Sequence, residues 1–200
     1  MYKAGLVLFW TVFIWSGIHP KDTPTWLLET LPAVIGVGIV VSTRKRFPLT
    51  PLAYCLIILH GIILLIGGHY TYAEVPLFDT IKETFGFARN NYDKLGHFMQ
   101  GFSPAILSRE ILIRNDVFHK QGWLNFMIIC ICLALSAFYE MLEWWTALLS
   151  EDGAEAFLGT QGYTWDTQSD MAFALLGTAL AIMTCSRVHD RQLAALRSSM

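Results

Sequence analysis

The sequence predicts an all-α fold, a polytopic membrane helical bundle of about six transmembrane helices with the N- and C-termini cytoplasmic. Three observations predict it. The 200 residues are 54% hydrophobic and only 15% charged, with a mean hydropathy of +0.45, too apolar for a water-soluble domain. Almost no ionisable group lies between Gly5 and Ile18, between Leu31 and Thr43, or between Pro51 and Gly68, and these stretches suit a hydrocarbon core of roughly 30 Å. Lys and Arg also divide unevenly between alternate connections, as insertion requires.

The six expected spans are Ala4–Ile18, Thr25–Thr43, Pro51–Tyr72, Tyr92–Ile113, Gly122–Leu149 and Trp165–Ser186, in a single integral-membrane helical domain covering residues 1–200. The first is short and follows Lys3 as a signal peptide would. It ends in "SGIHPKD", without a small-x-small cleavage site, so it reads as an anchor. The connection "EVPLFDTIKETFGFARNN" places Leu77, Ile81, Phe85 and Ala88 on one helical face, with Asp79, Lys82, Glu83 and Arg89 away from it. That pattern predicts a short helix lying in the interface. The fourth span is polar for a membrane, and its Pro104 predicts a kink or a loosened turn. Gly101, Ser103 and Ala105 in the same span, with Gly36, Gly38 and Gly177 elsewhere, read as notches for close helix packing. The last outer loop, "SEDGAEAFLGTQGYTW", is acidic, then rich in Gly, and ends on aromatics suited to the headgroup level.

With the N-terminus in the cytoplasm, the inner side carries Lys3, Arg44, Lys45, Arg46, Arg109, Arg114, Lys120, Arg187, Arg191 and Arg197. The outer side has only Lys21, Lys82, Arg89 and Lys94, whereas all acids but Glu110, Asp116 and Asp190 fall outside or in the outer half. The outer end is therefore an acidic surface. Cys55, Cys130, Cys132 and Cys185 all sit inside spans and read as small packing residues, not as a disulfide framework or a thiolate metal site.

Polar residues three or four apart share a helix face, and three such pairs occur: Asp93 with His97, Glu140 with Glu143, and Asp166 with Asp170. The fourth and sixth spans run inward and carry their pairs in their first turns. The fifth runs outward and carries its pair in its last turns. All three pairs thus fall in the outer leaflet, with Glu29 and His69 at similar height. Ionisable groups at such depth cost about 2.5–3.5 kcal/mol each on insertion scales and seldom face lipid. A cluster of Asp93, Glu140, Glu143, Asp166 and Asp170 needs shared protons, a bound cation, or Arg89 and Lys94 folded over it. Imidazole with carboxylates suits a divalent metal ion, with His97, Glu140, Glu143, Asp166 and Asp170 as candidate ligands. The plainer alternative makes Asp93 and Asp166 helix caps, turns the two glutamates to water and leaves His97 bonded to a carbonyl.

The motifs "YDKLGHFMQGF", "YEMLEWW" and "GTQGYTWDTQSDMAFALLG" resemble the YjdF family of bacterial inner-membrane proteins, and the match covers nearly the whole chain. More distantly, the order D-K-x-x-H, E-x-x-E and D-x-x-x-x-x-x-G is similar to the VanZ-like membrane proteins, one of which is associated with resistance to teicoplanin. Asp93, Lys94, His97, Glu140, Asp170 and Gly177 match that wider pattern, while Glu143 stands where Gln is usual and Ala174 where Asn is usual. The resemblance implies a bacterial inner-membrane location and a buried polar site, and names no reaction.

Together these readings predict an outer-leaflet site that binds or acts on a lipid-linked or envelope substrate. If the site is catalytic, its residues are Asp93, Lys94, His97, Glu140, Glu143 and Asp170. A metal would activate water or polarise a phosphoryl oxygen, Lys94 or Arg89 would pair with phosphate, and Asp93 would orient the imidazole. The alternatives are a small transporter or cation- or proton-binding protein, for which His60 is the one ionisable residue near mid-membrane, and a non-catalytic scaffold. Nucleic-acid binding is disfavoured, because the basic residues are dispersed among loop ends and form no continuous surface. No Gly-rich phosphate loop, nucleophile elbow or dinucleotide fingerprint is present.

Overall fold

The computed structural model describes residues 2–149 and 162–198. The described residues form seven helices and no strand: α1 (Tyr2–Ser16), α2 (Thr23–Thr43), α3 (Pro51–His69), α4 (Pro76–Phe85), α5 (Tyr92–Arg114), α6 (Gln121–Leu149) and α7 (Asp166–Ser198). Local chemistry sets several of their ends. Asp22 caps α2 by accepting from the Thr25 N–H at 2.8 Å, and Thr50 caps α3 just ahead of Pro51, whose missing N–H costs nothing there. Gly86, at φ +68°, closes α4 in the left-handed conformation that a side chain disfavours.

Among the described residues, α2, α3, α6 and α7 are long and apolar enough to cross a membrane. Outside that set fall α1, at 15 residues, and α5, which carries Asp93, Lys94, His97, Arg109, Glu110 and Arg114. The sequence-based span ends shift by two residues or fewer except in two places. The third span ends as helix at His69, because Thr71 and Tyr72 turn through positive φ. The last helix runs on from Ser186 to Ser198. Pro104 interrupts no helix: α5 runs unbroken through it.

Two packing units share α3. The first sets α1 and α2 against α3, around Phe9, Ala33, Val37 and Leu65. In the second α5 lies against α3, α6 and most extensively α7. That last contact is backbone to backbone: a Cβ on Gly101 would lie 1.8 Å from the Ala174 carbonyl oxygen, and one on Gly177 would lie 2.0 Å from that of Phe98. Only glycine admits such a crossing. Gly36 and Gly38, by contrast, have nothing within 4 Å of an added Cβ, so their expected notch packs on no described residue. Tyr72 uses two further glycines: a Cβ on Gly67 would meet its ring at 2.4 Å and one on Gly96 at 3.1 Å.

Polar contacts gather the helix ends into two groups. At the acidic end, His69 Nδ1 lies 2.9 Å from the Ser16 carbonyl, and Lys21 pairs with Glu74, which holds the lysine above its ordinary pKa. At the basic end, the Arg44 guanidinium lies 4.3 Å from the Tyr2 ring centroid, and the starts of α3, α5's last turns and the extension of α7 meet in a buried polar cluster. The outward faces of α2, α6 and α7 present Ile35, Ile39, Trp123, Leu135, Leu148 and Met183, apolar surface that a bilayer covers.

As expected, α4 is helical, and it turns Leu77 and Phe85 outward, while Asp79 faces the body of the protein and accepts from Asn90 Nδ2 at 2.9 Å. Ala88 lies beyond the helix, in the loop after Gly86. Residues 150–161, which carry most of the acidic and Gly-rich loop, lie outside the described residues.

Candidate polar centre at the acidic end

The centre is assembled by α5, α6 and α7. On α5, Asp93 and His97 are one turn apart and on one face, with His97 Nε2 3.2 Å from Asp93 Oδ1. Across the Gly101–Gly177 crossing, α7 brings Asp170 Oδ2 to 3.9 Å from the same nitrogen. These three residues offer ligand atoms that all lie within 4.8 Å of one another. Asp170 is shared: its other oxygen accepts from Lys94 Nζ at 2.6 Å.

The opposite side of the imidazole has different partners. His97 Nδ1 lies 3.0 Å from Gln100 Oε1, so the proton on that side belongs to Nδ1 and is donated to the amide oxygen. Glu140 Oε1 stands 3.7 Å from Nδ1, buried and without a hydrogen-bond partner. Behind it, Tyr139 donates to Glu29 Oε2 at 2.7 Å and so ties α2 to α6.

Arg89 and Lys94 close the centre toward the surface. Arg89 pairs with Asp166 and reaches Asp93 at 3.4 Å; Lys94 lies 2.7 Å from Asp166 and 3.7 Å from Asp93. All of these groups except Asp93 are under a tenth exposed as residues, and Asp93 is half-buried. The two cations engage Asp93, Asp166 and Asp170, which leaves Glu29 and Glu140 buried and, among the described residues, without a Lys or Arg partner. A cluster with so many acids carries either protons or a further cation.

The structure thus brings together Asp93, Lys94, His97, Glu140, Asp166 and Asp170. Asp166 is engaged by Arg89 and Lys94, Glu140 faces the far side of the ring, and Asp93 stands on the Nε2 side with Asp170. Glu143, partly exposed on α6 one turn beyond Glu140, forms no ion pair with this set, though its charge lies near enough to act on His97 and Glu140. Sequence reasoning passed over Gln100, whose spacing of three from His97 puts it on the same face, and over Tyr139.

It also missed a second buried cluster, at the basic end. Glu110 accepts from the Thr50 N–H at 2.9 Å, from Thr50 Oγ1 at 2.6 Å and from Arg114 at 3.1 Å, and lies 3.1 Å from His189 Nε2. Arg109 lies 3.0 Å from His189 Nδ1 and 2.7 Å from Asp190. Because Arg109 can only donate, Nδ1 accepts and the ring proton sits on Nε2, directed at Glu110. No solvent reaches Glu110 or His189.

Comparison with known proteins identifies the family. The family described as "Predicted membrane protein (DUF2238)" matches residues 1–191. The "Inner membrane protein YjdF" of Escherichia coli (strain K12) is 50% identical over 182 residues, covering 91% of this chain and 87% of that one. No solved structure matches. The wider likeness to VanZ-like proteins gains no support from either match. With outward apolar helices, a buried polar interior and a family match along nearly its whole length, the chain belongs to the DUF2238 family and is a multi-pass protein of the bacterial inner membrane.

Proposed function

We propose that the acidic end holds a divalent cation between Asp93, His97 and Asp170, and that the loaded centre binds or acts on a lipid-linked or envelope substrate in the outer leaflet. One observation carries this reading. His97 Nδ1 meets the Gln100 amide oxygen, and its Nε2 faces two carboxylates. Such a grouping repels itself unless a positive charge sits in the middle. Donor distances of about 2.0–2.2 Å put neighbouring ligand atoms about 3.0–3.5 Å apart, so the 3.2 Å edge fits as it stands and the 3.9 Å edge needs a small closure.

In this arrangement Gln100 and Glu140 hold the imidazole from behind, the role that outer partners of metal-bound histidines commonly take. A bound metal would supply Lewis acidity or an activated water. Lys94 and Arg89, at the mouth, would meet the phosphate of a substrate. Glu143 and Asp166 would act at the rim and on the two cations, not as ligands.

The competing charge is a proton on Nε2, which makes His97 an imidazolium and favours the cation- or proton-binding alternative. His60 adds one observation to that side, since its buried Nε2 has no partner. The inward route from the centre otherwise carries only the hydroxyls of Ser103, Ser136 and Thr178 among buried Met99, Ile106, Ile128 and Cys132, with no charged group among the described residues before Arg109 and Glu110.

The test is metal content by mass spectrometry of detergent-purified protein, stripped with chelator and dialysed against Mn²⁺ or Zn²⁺. Near-stoichiometric metal is expected, lost in His97→Ala and Asp170→Asn and kept in Glu143→Gln. Metal-free parent protein that remains folded would sink the proposal and leave the imidazolium.

A further inference from the structure

A groove of about 730 Å³ opens beside the polar centre, between α4, the loop before α5, and α7. Its upper wall holds Arg89 and Lys94, each beneath the Tyr163 ring at 5.8 and 5.6 Å from the centroid. One turn further along α5, on the face of Lys94, comes Phe98; one turn along α7, on the face of Ser169, comes Phe173. Both helices enter the membrane in that direction, so the groove is cationic and hydroxyl-bearing at the interface and aromatic about 6 Å deeper. The Ser169 hydroxyl is buried there with no hydrogen-bond partner. The order of chemistry, charged above and apolar below, is that of an amphiphile standing in a leaflet.

Charge decides which amphiphile. Arg89 and Lys94 face Asp93, Asp166 and Asp170, with Glu140 behind His97, so carboxylates outnumber the two cations and an anionic headgroup is repelled. A divalent cation among Asp93, His97 and Asp170 offsets two of those negative charges and draws Asp170 away from Lys94, which leaves its ammonium a donor to spend on another acceptor.

We infer that this groove binds a phosphate-bearing lipid, with the phosphate at Lys94, Arg89 and the Ser169 hydroxyl and the chain along Phe98 and Phe173, and that it does so only when the centre holds its metal. The inference rests on the metal reading above and names the substrate class. Metal and lipid then strengthen each other's binding by the same factor.

The experiment is titration calorimetry of the detergent-purified full chain with dioctanoyl phosphatidic acid, in Mn²⁺ and in EDTA, with metal content measured on the same samples. Dioctanoylglycerol and inorganic phosphate serve as the arms lacking phosphate and lacking chains. Phosphatidic acid is expected to bind about tenfold or more tighter in Mn²⁺ than in EDTA, a typical coupling strength, and tighter than either control. Phe173→Ala is expected to weaken the lipid and leave Mn²⁺ binding unchanged; Lys94→Gln is expected to remove the preference for phosphatidic acid over dioctanoylglycerol. Equal affinity for dioctanoylglycerol, equal affinity for inorganic phosphate, or binding indifferent to EDTA overturns the inference. Protein that takes up Mn²⁺ and no lipid overturns this inference alone; protein that takes up no Mn²⁺ overturns the metal reading with it.

Discussion

His97 and His189 are two buried histidines whose polar neighbours differ in how fully they are answered, and the difference separates a candidate site from a clasp. At His189 both ring nitrogens and both oxygens of Glu110 have partners: Arg109 on one nitrogen, Glu110 on the other, and Thr50 and Arg114 on Glu110. A satisfied network of this kind fixes structure. Glu110→Ala strands His189 and the Thr50 amide, and is expected to cost about 3–5 kcal/mol, whereas His189→Leu removes one bond of several and is expected to cost about 1–3 kcal/mol. Thermal unfolding in detergent measures both, and midpoints equal to the parent's would remove the clasp from the account. Asp93 and His97 could be paired from sequence because four residues make one turn. Gln100 obeys the same geometry, but a neutral amide in a helix raises no electrostatic question and drew no notice. The pairing of Glu110 with His189 could not be read at all: 79 residues separate them, and both sit at a basic end where water is the default partner.

At the scale of elements, the α5–α7 crossing sets the register of the centre. Asp170 stands seven residues from Gly177, and His97 four from Gly101, so any separation of the two helices opens the gap between Nε2 and Asp170. Gly101→Ala and Gly177→Ala each place a methyl against a backbone carbonyl and are expected to lose about 1–3 kcal/mol of stability together with most metal binding. Gly36→Ala and Gly38→Ala meet open space and are expected to be neutral or slightly stabilising. Parallel measurement of metal content and unfolding temperature compares the two sets, and equal behaviour would detach the crossing from the site. The sequence marked all four glycines alike, because small residues read the same whether or not a neighbour comes close. The helical character of α4 and its apolar side were legible from periodicity, and its end was written in Gly86.

For the whole molecule, the alternation of basic and acidic ends predicts the orientation. Fusions of green fluorescent protein to either terminus are expected to fluoresce, as that protein does in the cytoplasm, and a periplasmic alkaline phosphatase fusion at the α4 loop is expected to be active. The reverse pattern would place the polar centre on the cytoplasmic side and end its connection to envelope lipids. Fold class and membrane residence followed from composition and from the gaps in charge. The count of spans did not, because α5 is polar along both ends, and polarity in a helix becomes intelligible only beside the partner that answers it.

That dependence has a consequence for biosynthesis. When α5 emerges from the ribosome, Lys94 has neither Asp166 nor Asp170, and Glu110 has no His189; those partners are translated later, on α7. An α5 that lacks these partners partitions poorly into lipid. The insertion machinery must therefore retain it, or leave it at the surface, until α7 arrives, and truncation ahead of α7 would leave a nascent chain fit for degradation and not a smaller membrane protein.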